Sequence, residues 1–316
     1  MSQERIISVL DIGPDAVLLL VAKYFQDGRI EPIHEFVAIT KLCEKLLKTG
    51  VLLEEAITRT VKAAKEMQSI ALKEGAQNLI VTASSVVRSA ENRSKFLVKC
   101  FQSLKIYPQV LSGKEEAKFS FIGATLDIDT PRPIFLINIE EGSSEIAFGS
   151  KTSIEGTYSF DIGCFRINEI LDQASQNKGF LKSNPVLPAL SHIKKELNKV
   201  SPEISAWIKQ NNPLVIVSGG VAVTYAAIIK KQFVYDYKQI NFTKSNVKNT
   251  MSVFKTLFKM KNGERINVPG MEIGRAEIMP AGLLSLHSTL QTFNLDEYTI
   301  TVNGLRMGII KYFIER

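Results

Sequence analysis

The sequence predicts an α/β protein built from two related halves. In the first half an apolar strand ends at Asp11 and two more strands follow it; in the second half a similar series passes through Asn138. After each series come a helical pattern and another apolar run, at 78–82 and at 213–217. This pattern is typical of mixed α/β sheets. Two such halves predict two lobes around a cleft, each with a polar turn of the kind that binds phosphate through main-chain N–H groups.

The elements of the first half follow from apolar periodicity. Strands are predicted at residues 5–11, 17–24, 29–37, 78–83 and 108–111. Helices are predicted at residues 54–75, 88–104 and 113–125. The first helix places Ile57, Val61, Ala64 and Met67 on one face, and Gly75 is a stop signal.

The second half begins after the segment 127–133, which is rich in Asp and Pro. We therefore predict lobes at 1–127 and 128–316, with a terminal helix that is able to pack back on the first lobe. A strand meander at 133–161, helices at 163–175 and 187–211, and strands at 213–218 and 298–302 are expected. Thr243 is expected to cap a helix with an apolar stripe, and Gly304 to open the terminal helix.

The charged residues indicate which class of partner the protein could bind. The net charge of +7 suits a polyanion. Between residues 230 and 265, eight lysines are opposed only by Asp236 and Glu264; this stretch is either a solvated helix face or a basic wall that attracts phosphates. Because no aromatic residues interleave with these lysines and no nucleic-acid motif is present, we do not expect a DNA or RNA partner.

Other classes of protein are disfavoured by short apolar runs and by the cysteine and histidine content. No apolar run is long enough to span a bilayer, so no membrane association is expected. Three widely spaced cysteines argue against a disulfide framework or a zinc site and predict a cytoplasmic location. The three histidines show no metal-ligand spacing.

Six sequence blocks resemble one family. They lie, in the order of that family, at residues 50–59, 88–97, 111–117, 162–166, 269–278 and 303–306. Together they resemble the exopolyphosphatase and guanosine pentaphosphate phosphohydrolase (Ppx/GppA) family, in its short two-domain form. The resemblance implies the duplicated actin-like ATPase fold, which is ribonuclease H-like, and a homodimer.

The resemblance also implies a reaction. Members of this family split the terminal phosphoanhydride of inorganic polyphosphate or of guanosine pentaphosphate with Mg²⁺ or Mn²⁺. Carried over to this chain, Glu116 would activate the attacking water, with Glu145 and Arg88 as further catalytic residues. The expected metal ligands are Asp11, Asn138 and Glu145. The expected phosphate-binding residues are Gly13, Gly142, Ser143, Arg166, Gly219, Gly220 and Arg306.

Each of these residues also has an ordinary structural explanation. Glu116 suits a helix N-terminus, where an acid complements the macrodipole. Asp11 suits a turn before a glycine. The pair Gly219 and Gly220 suits a plain strand-to-helix turn, and Arg88 and Arg166 each suit a surface salt bridge.

The sequence departs from the family in both phosphate turns. In the first turn, Pro14 lacks a main-chain donor and Ala16 lacks a hydroxyl. In the second, Asn138 replaces an aspartate, and Glu140 and Glu141 replace glycines. We expect these glutamates to be strained if the positions need positive φ, and to repel substrate if they point into the cleft. A weakened metal site is expected.

Two hypotheses follow. Glu116 and the retained arginines favour a phosphohydrolase. The altered turns favour a catalytically impaired relative that binds polyphosphate or a nucleotide, or that acts as a protein-interaction module. A kinase of the same superfamily is disfavoured, because such kinases keep glycine-rich phosphate turns.

Overall fold

The computed structural model describes residues 4–176, 184–234 and 236–315. The chain divides into two compact units: Met1–Gly123 with Leu305–Arg316, and Ala124–Gly304. The predicted boundary is at residue 127, with a terminal helix in the second lobe that is able to pack back on the first. In the structure that helix groups with the first unit.

The first unit contains a five-stranded sheet. Its strands are β1 (Arg5–Ile12), β2 (Ala16–Tyr24), β3 (Ile30–Ile39), β4 (Asn78–Ala83) and β5 (Gln109–Val110). Their order in the sheet is β3-β2-β1-β4-β5. The three N-terminal strands form an antiparallel meander, and β4 and β5 run parallel to β1. Because β1 is central and buried, it carries apolar residues without alternation, whereas the edge strand β3 is largely exposed.

Over the residues that the structure describes, six helices complete the first unit. They are α1 (Leu46–Thr49), α2 (Glu54–Lys73), α3 (Ser85–Ser89), α4 (Arg93–Leu104), α5 (Gly113–Ala124) and, from the C-terminal end, α14 (Leu305–Ile314). The helix predicted at 88–104 is two helices, because Ala90 adopts an extended conformation that ends α3. The buried face of α2 carries Ala56, Ile57, Ala64 and Met67, largely as predicted.

The second unit contains a six-stranded sheet with the same internal order. Its strands are β6 (Ile134–Ile139), β7 (Ser144–Gly149), β8 (Ile154–Phe160), β9 (Leu214–Ser218), β10 (Thr243–Asn246) and β11 (Glu297–Ile300). The order β8-β7-β6-β9-β11 repeats that of the first sheet, with the same parallel and antiparallel pairings; β10 is added at the edge. The predicted duplication is therefore confirmed at the level of topology.

The described residues of the second unit form several helices, one of which is long and buried. They are α6 (Cys164–Gln176), α7 (Leu187–Asn198), α8 (Ser201–Asn211), α9 (Gly220–Ile229), α10 (Tyr237–Ile240), α11 (Val247–Lys259), α12 (Asn262–Arg265) and α13 (Met279–Thr292), with a 3₁₀ turn at Ile273–Arg275. Every residue of α13 from Met279 to Leu290 is buried, which makes this helix the centre of the unit's core.

Two predictions about this unit were wrong. The helix predicted at 187–211 is two helices, and Pro202 lies in the first turn of the second, where a missing N–H costs little. Thr243 does not cap a helix, because it lies in β10 and pairs with Ile300 of β11. The cap of α11 is Asn246, whose side chain accepts a hydrogen bond from the Asn249 main chain at 2.8 Å.

Among the residues that the structure describes, no helix combines the length and the apolar character needed to cross a bilayer.

Candidate functional site

An acid–hydroxyl pair lies near the carboxyl ends of the parallel strands of the first unit. Asp11 of β1 lies in register with Thr82 of β4, and the Thr82 hydroxyl donates to Asp11 Oδ1 at 2.7 Å. Asp11 is buried, with 6% of its surface exposed. Because β1, β4 and β5 are parallel neighbours, their carboxyl ends meet at one edge of the sheet. The sequence-predicted Asp11 thus lies on the edge at which α5 begins.

Glu116 lies in the first turn of α5 and is paired with Arg88. Arg88 Nη1 donates to Glu116 Oε2 at 2.9 Å and to the Leu111 carbonyl at 2.6 Å. Glu116 is 4% exposed, so this is a buried carboxylate with a half-buried cation. The Leu111 N–H in turn donates to the carbonyl of Ala83 at the end of β4. The structure therefore brings together two of the predicted catalytic residues, Glu116 and Arg88, where α5 begins.

The neighbouring acid, Glu115, caps α5. The Ser112 N–H and hydroxyl both donate to Glu115 Oε2 at 2.8 Å, and the Glu115 N–H donates to Ser112 Oγ at 3.2 Å. This is the reciprocal arrangement of a capping box. Glu115 thus makes the capping contacts, while both Glu115 and Glu116 lie in the first turn, where an acid complements the helix macrodipole.

The main-chain groups of the first turn, Gly13–Asp15, form hydrogen bonds with other main-chain groups of the first unit. The Gly13 N–H donates to the Ala16 carbonyl at 2.9 Å. The carbonyls of Pro14 and Asp15 accept main-chain N–H groups of residues 40, 41 and 43 at 2.7–2.9 Å. The Gly13 donor expected to bind phosphate is therefore engaged within the turn.

Two predicted phosphate-binding arginines form surface ion pairs. Arg306 pairs with Glu35 of β3 at 3.1 Å. Strand β3 is one outer strand of the sheet, and β5 is the other. Arg166 pairs with Asp161 at 3.2 Å and with Glu169 at 3.7 Å. The contacts of Arg166 match the surface salt bridge that was its alternative explanation.

In the second unit, Asn138 and Glu145 form the centre of a buried polar network. Asn138 Nδ2 donates to Glu145 Oε2 at 2.9 Å, and the Ser218 hydroxyl donates to Asn138 Oδ1 at 2.9 Å. The hydroxyls of Ser143 and Ser159 donate to Glu145 Oε1 at 2.6 and 3.1 Å. Strand register explains the grouping, because Asn138 faces Glu145 and Ser218 on its two neighbouring strands, and Glu145 faces Ser159.

This network does not fit the metal site that was predicted for Asn138 and Glu145. Mg²⁺ takes oxygen ligands, whereas Asn138 directs its amide N–H group at the carboxylate and its oxygen accepts from Ser218. Over the described residues, no group of three or more His, Cys, Asp or Glu side chains is arranged to hold a metal ion. Asp11 differs from Asn138 in carrying a carboxylate instead of an amide, although its Oδ1 likewise accepts from a hydroxyl, that of Thr82.

The pair Gly219 and Gly220 joins β9 to α9 in a crowded turn. Gly219 has φ +94°, and a Cβ there would lie 2.5 Å from the Ile139 carbonyl and 2.8 Å from Asn138 Oδ1. A Cβ on Gly220 would overlap the guanidinium of Arg275. Gly219 therefore requires glycine, because of its φ and the nearby main chain, whereas at Gly220 the guanidinium of Arg275 would have to move.

The second turn, Glu140–Ser143, connects β6 to β7 and is occupied by acidic side chains. Glu140 Oε2 accepts a long hydrogen bond of 3.4 Å from the Gly220 N–H, and Glu141 forms an ion pair with Arg275. Arg275 also donates to Glu272 at 2.7 Å. Neither Glu140 nor Glu141 has positive φ, so the expected backbone strain is not present.

Burial and neighbouring charges alter the acidity of this cluster. Burial, followed by the charge of Glu141, raises the pKa of Glu140 to about 8. Burial alone would lower the pKa of Arg275, but Glu141, Glu272 and Glu140 outweigh it and raise that pKa. Arg275 was not among the residues given a role from the sequence, although it lies in the block 269–278.

The second turn also packs against the start of α6. The N–H groups of Cys164 and Phe165 donate to the carbonyls of Glu140 and Glu141 at 3.1 and 2.9 Å. A Cβ on Gly163 would overlap Gly142, so the chain approaches itself closely here. The main-chain donors at the start of α6 are thus used by the turn itself.

The two sheets, with one strand order repeated, define the actin-like ATPase fold. The sequence matches the Ppx/GppA phosphatase family over residues 20–315. The chain therefore belongs to the Ppx/GppA phosphatase family.

The chain is also similar to individual proteins and to a solved structure. The chain is 29% identical to a bifunctional 3-dehydroquinate synthase/phosphatase of Fusobacterium nucleatum over 97% of its own length, and it spans 46% of that relative. It is 23% identical to exopolyphosphatase 2 of Mycobacterium tuberculosis, with 96% of this chain and 97% of the relative covered. The crystal structure of the Aquifex aeolicus Ppx/GppA member superimposes with a TM-score of 0.79 at 22% identity, covering 99% of this chain and 98% of that one.

Proposed function

We propose that this protein is a phosphohydrolase that cleaves the terminal phosphoanhydride of inorganic polyphosphate or guanosine pentaphosphate. The observation that carries the proposal is the buried pair of Glu116 and Arg88 at the start of α5. A carboxylate at such a position accepts a proton from water, and family membership supports a phosphoanhydride as the substrate.

In the proposed reaction, a water oxygen bonds to the terminal phosphorus as its bond to the bridging oxygen breaks. Glu116 takes the proton that the water loses. Arg88 holds the Glu116 carboxylate through Nη1 and anchors it to the main chain at Leu111. The products are inorganic phosphate and a substrate shortened by one phosphate.

A requirement for Mg²⁺ or Mn²⁺ is part of the proposal, with Asp11 as the residue that would hold the ion. Bound divalent metal neutralises charge on the phosphate oxygens. The Asn138–Glu145 network is left out of this role, for the reasons given above.

The test is phosphate release by the purified chain from each substrate, with Mg²⁺ or Mn²⁺ added. We expect Glu116→Gln to lower kcat by roughly 10²- to 10⁴-fold, the range for loss of a general base. Glu115→Gln is the matched control, since glutamine is also accepted in a capping box. Equal losses in both variants would show that only the helix start matters and would contradict the proposal, as would no release by the natural chain.

A second candidate function is binding without turnover. The acidic second turn and the satisfied Asn138–Glu145 network favour it, because both remove features that a phosphate-handling turn uses. Calorimetry with polyphosphate distinguishes the two functions: heat of binding without phosphate release supports this candidate. The homodimer and the cytoplasmic location stay predictions from the sequence.

A further inference from the structure

The start of α9 has the features of an anion site. It is the N-terminus of a ten-residue helix that begins at Gly220 and has Gly219 as its N-cap, so its main-chain N–H groups and the helix dipole favour negative charge. The Arg275 guanidinium lies directly over Gly220, where a Cβ would overlap it. A main-chain donor and a guanidinium converging on one point are the usual partners of a phosphate group.

In this structure the protein's own carboxylates take those partners. Glu140 Oε2 accepts from the Gly220 N–H, and Glu141 pairs with Arg275. The side chains of Glu141 and Arg275 are 15% and 14% exposed, so this ion pair is largely shielded from solvent. Glu272 binds the other side of Arg275.

The charges around Arg275 also disfavour a bound phosphate. One guanidinium faces Glu140, Glu141 and Glu272, with Glu145 nearby, so an approaching phosphate meets more acid than base. Burial, followed by the charge of Glu141, raises the pKa of Glu140 to about 8, so at neutral pH the negative charge around Arg275 comes from Glu141 and Glu272. To bind here, a phosphate would have to displace Glu141 from Arg275 and leave a buried charge unpaired, which is costly.

We infer that Glu140, Glu141 and Arg275 form an internal anion clamp that determines the anion selectivity of the second turn. In the natural chain the donors of this turn hold the protein's own carboxylates, and phosphate groups are excluded from it. The inference rests on the proposed function only in that it takes the substrate to be a phosphate anion.

The test is calorimetric binding of inorganic tripolyphosphate to the full chain in a Glu116→Gln background, which separates binding from turnover. Glu140→Ala with Glu141→Ala removes both carboxylates and leaves the Gly220 donor and Arg275. We expect one additional binding site per chain relative to the parent. Adding Arg275→Gln should abolish that site, because it removes the cation that the carboxylates release.

A control variant tests whether removing any two acidic side chains is enough to create a tripolyphosphate site. Asp296→Asn with Glu297→Gln removes two exposed acids from the same unit. The inference is overturned if this control gains the same site, if the double alanine variant gains none, or if Arg275→Gln alone already abolishes binding to the parent. Should the double variant fail to fold, judged by circular dichroism, Glu141→Ala alone is used; it should gain a weaker site that again requires Arg275. Because no turnover is measured, a natural chain without hydrolytic activity leaves these outcomes interpretable.

Discussion

At the scale of single residues, adjacent acids in this chain have separate roles. Glu115 accepts from Ser112 and caps α5, while Glu116 pairs with Arg88 in a buried position. In the same way, Glu140 bonds to Gly220 while Glu141 pairs with Arg275. A sequence shows two acids side by side, but only the helix or turn that carries them decides which partner each one meets.

The raised pKa of Glu140 makes stability depend on pH. Its ordinary value is 4.5 and its value in the fold is about 8. Between these values the folded chain holds a proton that the unfolded chain has lost, so the stabilising contribution is present below pH 4.5 and is lost as pH rises through about 8. We expect Glu140→Gln, which stays neutral, to have an unfolding free energy that exceeds that of the natural chain by an amount that grows with pH over this window.

Urea denaturation at several pH values from 5 to 8.5 measures this difference. The charged and titratable groups that face Glu140 are Glu141, Glu145, Arg275 and Cys164. They are present in both proteins, so their titration largely cancels in the comparison. Glu297→Gln, an exposed acid of β11, serves as a control that should show no such trend. A constant difference between Glu140→Gln and the natural chain across the window would contradict the assignment.

The part of the site that could not be predicted depends on contacts between residues that are far apart in the sequence. Glu116 and Arg88 lie in blocks of recognisable sequence, and the fold brings them together. Arg275 meets Glu141 across 134 positions of sequence, through the close approach of the 3₁₀ turn to the start of α9. No periodicity or spacing encodes that contact, so the sequence did not show that Glu141 has Arg275 as its partner.

At the scale of elements, the helices and strands missed from the sequence share weak local signals. Strand β10 has the sequence Thr-Lys-Ser-Asn, without the apolar alternation that identifies a strand, and it exists because β11 offers an open edge. Two predicted helices are interrupted in the structure, after Ser89 and after Asn198. The residues that follow each interruption are ones that could also continue a helix. Long periodic elements such as α2 and strands with buried faces were predicted well, because burial dictates their pattern.

The cap of α11 gives a prediction at this scale. Asn246 accepts from the Asn249 N–H, one of the donors that a helix start leaves without a partner inside the helix. Replacing Asn246 by alanine should lower the unfolding free energy by about 1 kcal/mol, the typical loss for a cap. Asn246→Asp keeps an accepting oxygen and should retain most of the stability. Equal losses in the two variants, measured by urea denaturation, would show that the side-chain oxygen is not what stabilises the helix.

At the scale of the whole molecule, the two units repeat a hydrogen bond as well as a strand order. In the first unit Asp11 accepts from Thr82 between β1 and β4; in the second, Asn138 accepts from Ser218 between β6 and β9. Both pairs are register partners on equivalent strands. The units differ on the other neighbouring strand, where Asp11 faces Leu18 and Asn138 faces Glu145. An amide at position 138 suits that neighbour, because a second carboxylate would be buried against Glu145 without a donor between them.

The path of the chain gives a final prediction, since α14 returns to the first unit and packs on α5. A Cβ on Gly308 would overlap the Phe119 carbonyl, whereas a Cβ on Gly304 would meet nothing within 4 Å. Alanine at an interior helix position gains up to about 1 kcal/mol over glycine, but overpacking against main chain costs roughly 1–3 kcal/mol. Gly308→Ala should therefore destabilise the first unit, while Gly304→Ala should have little effect. Amide hydrogen exchange should show lost protection in α5 and β1 for Gly308→Ala and unchanged protection in β6 and β9. If β6 and β9 lose protection to the same degree, α14 does not stabilise the first unit selectively.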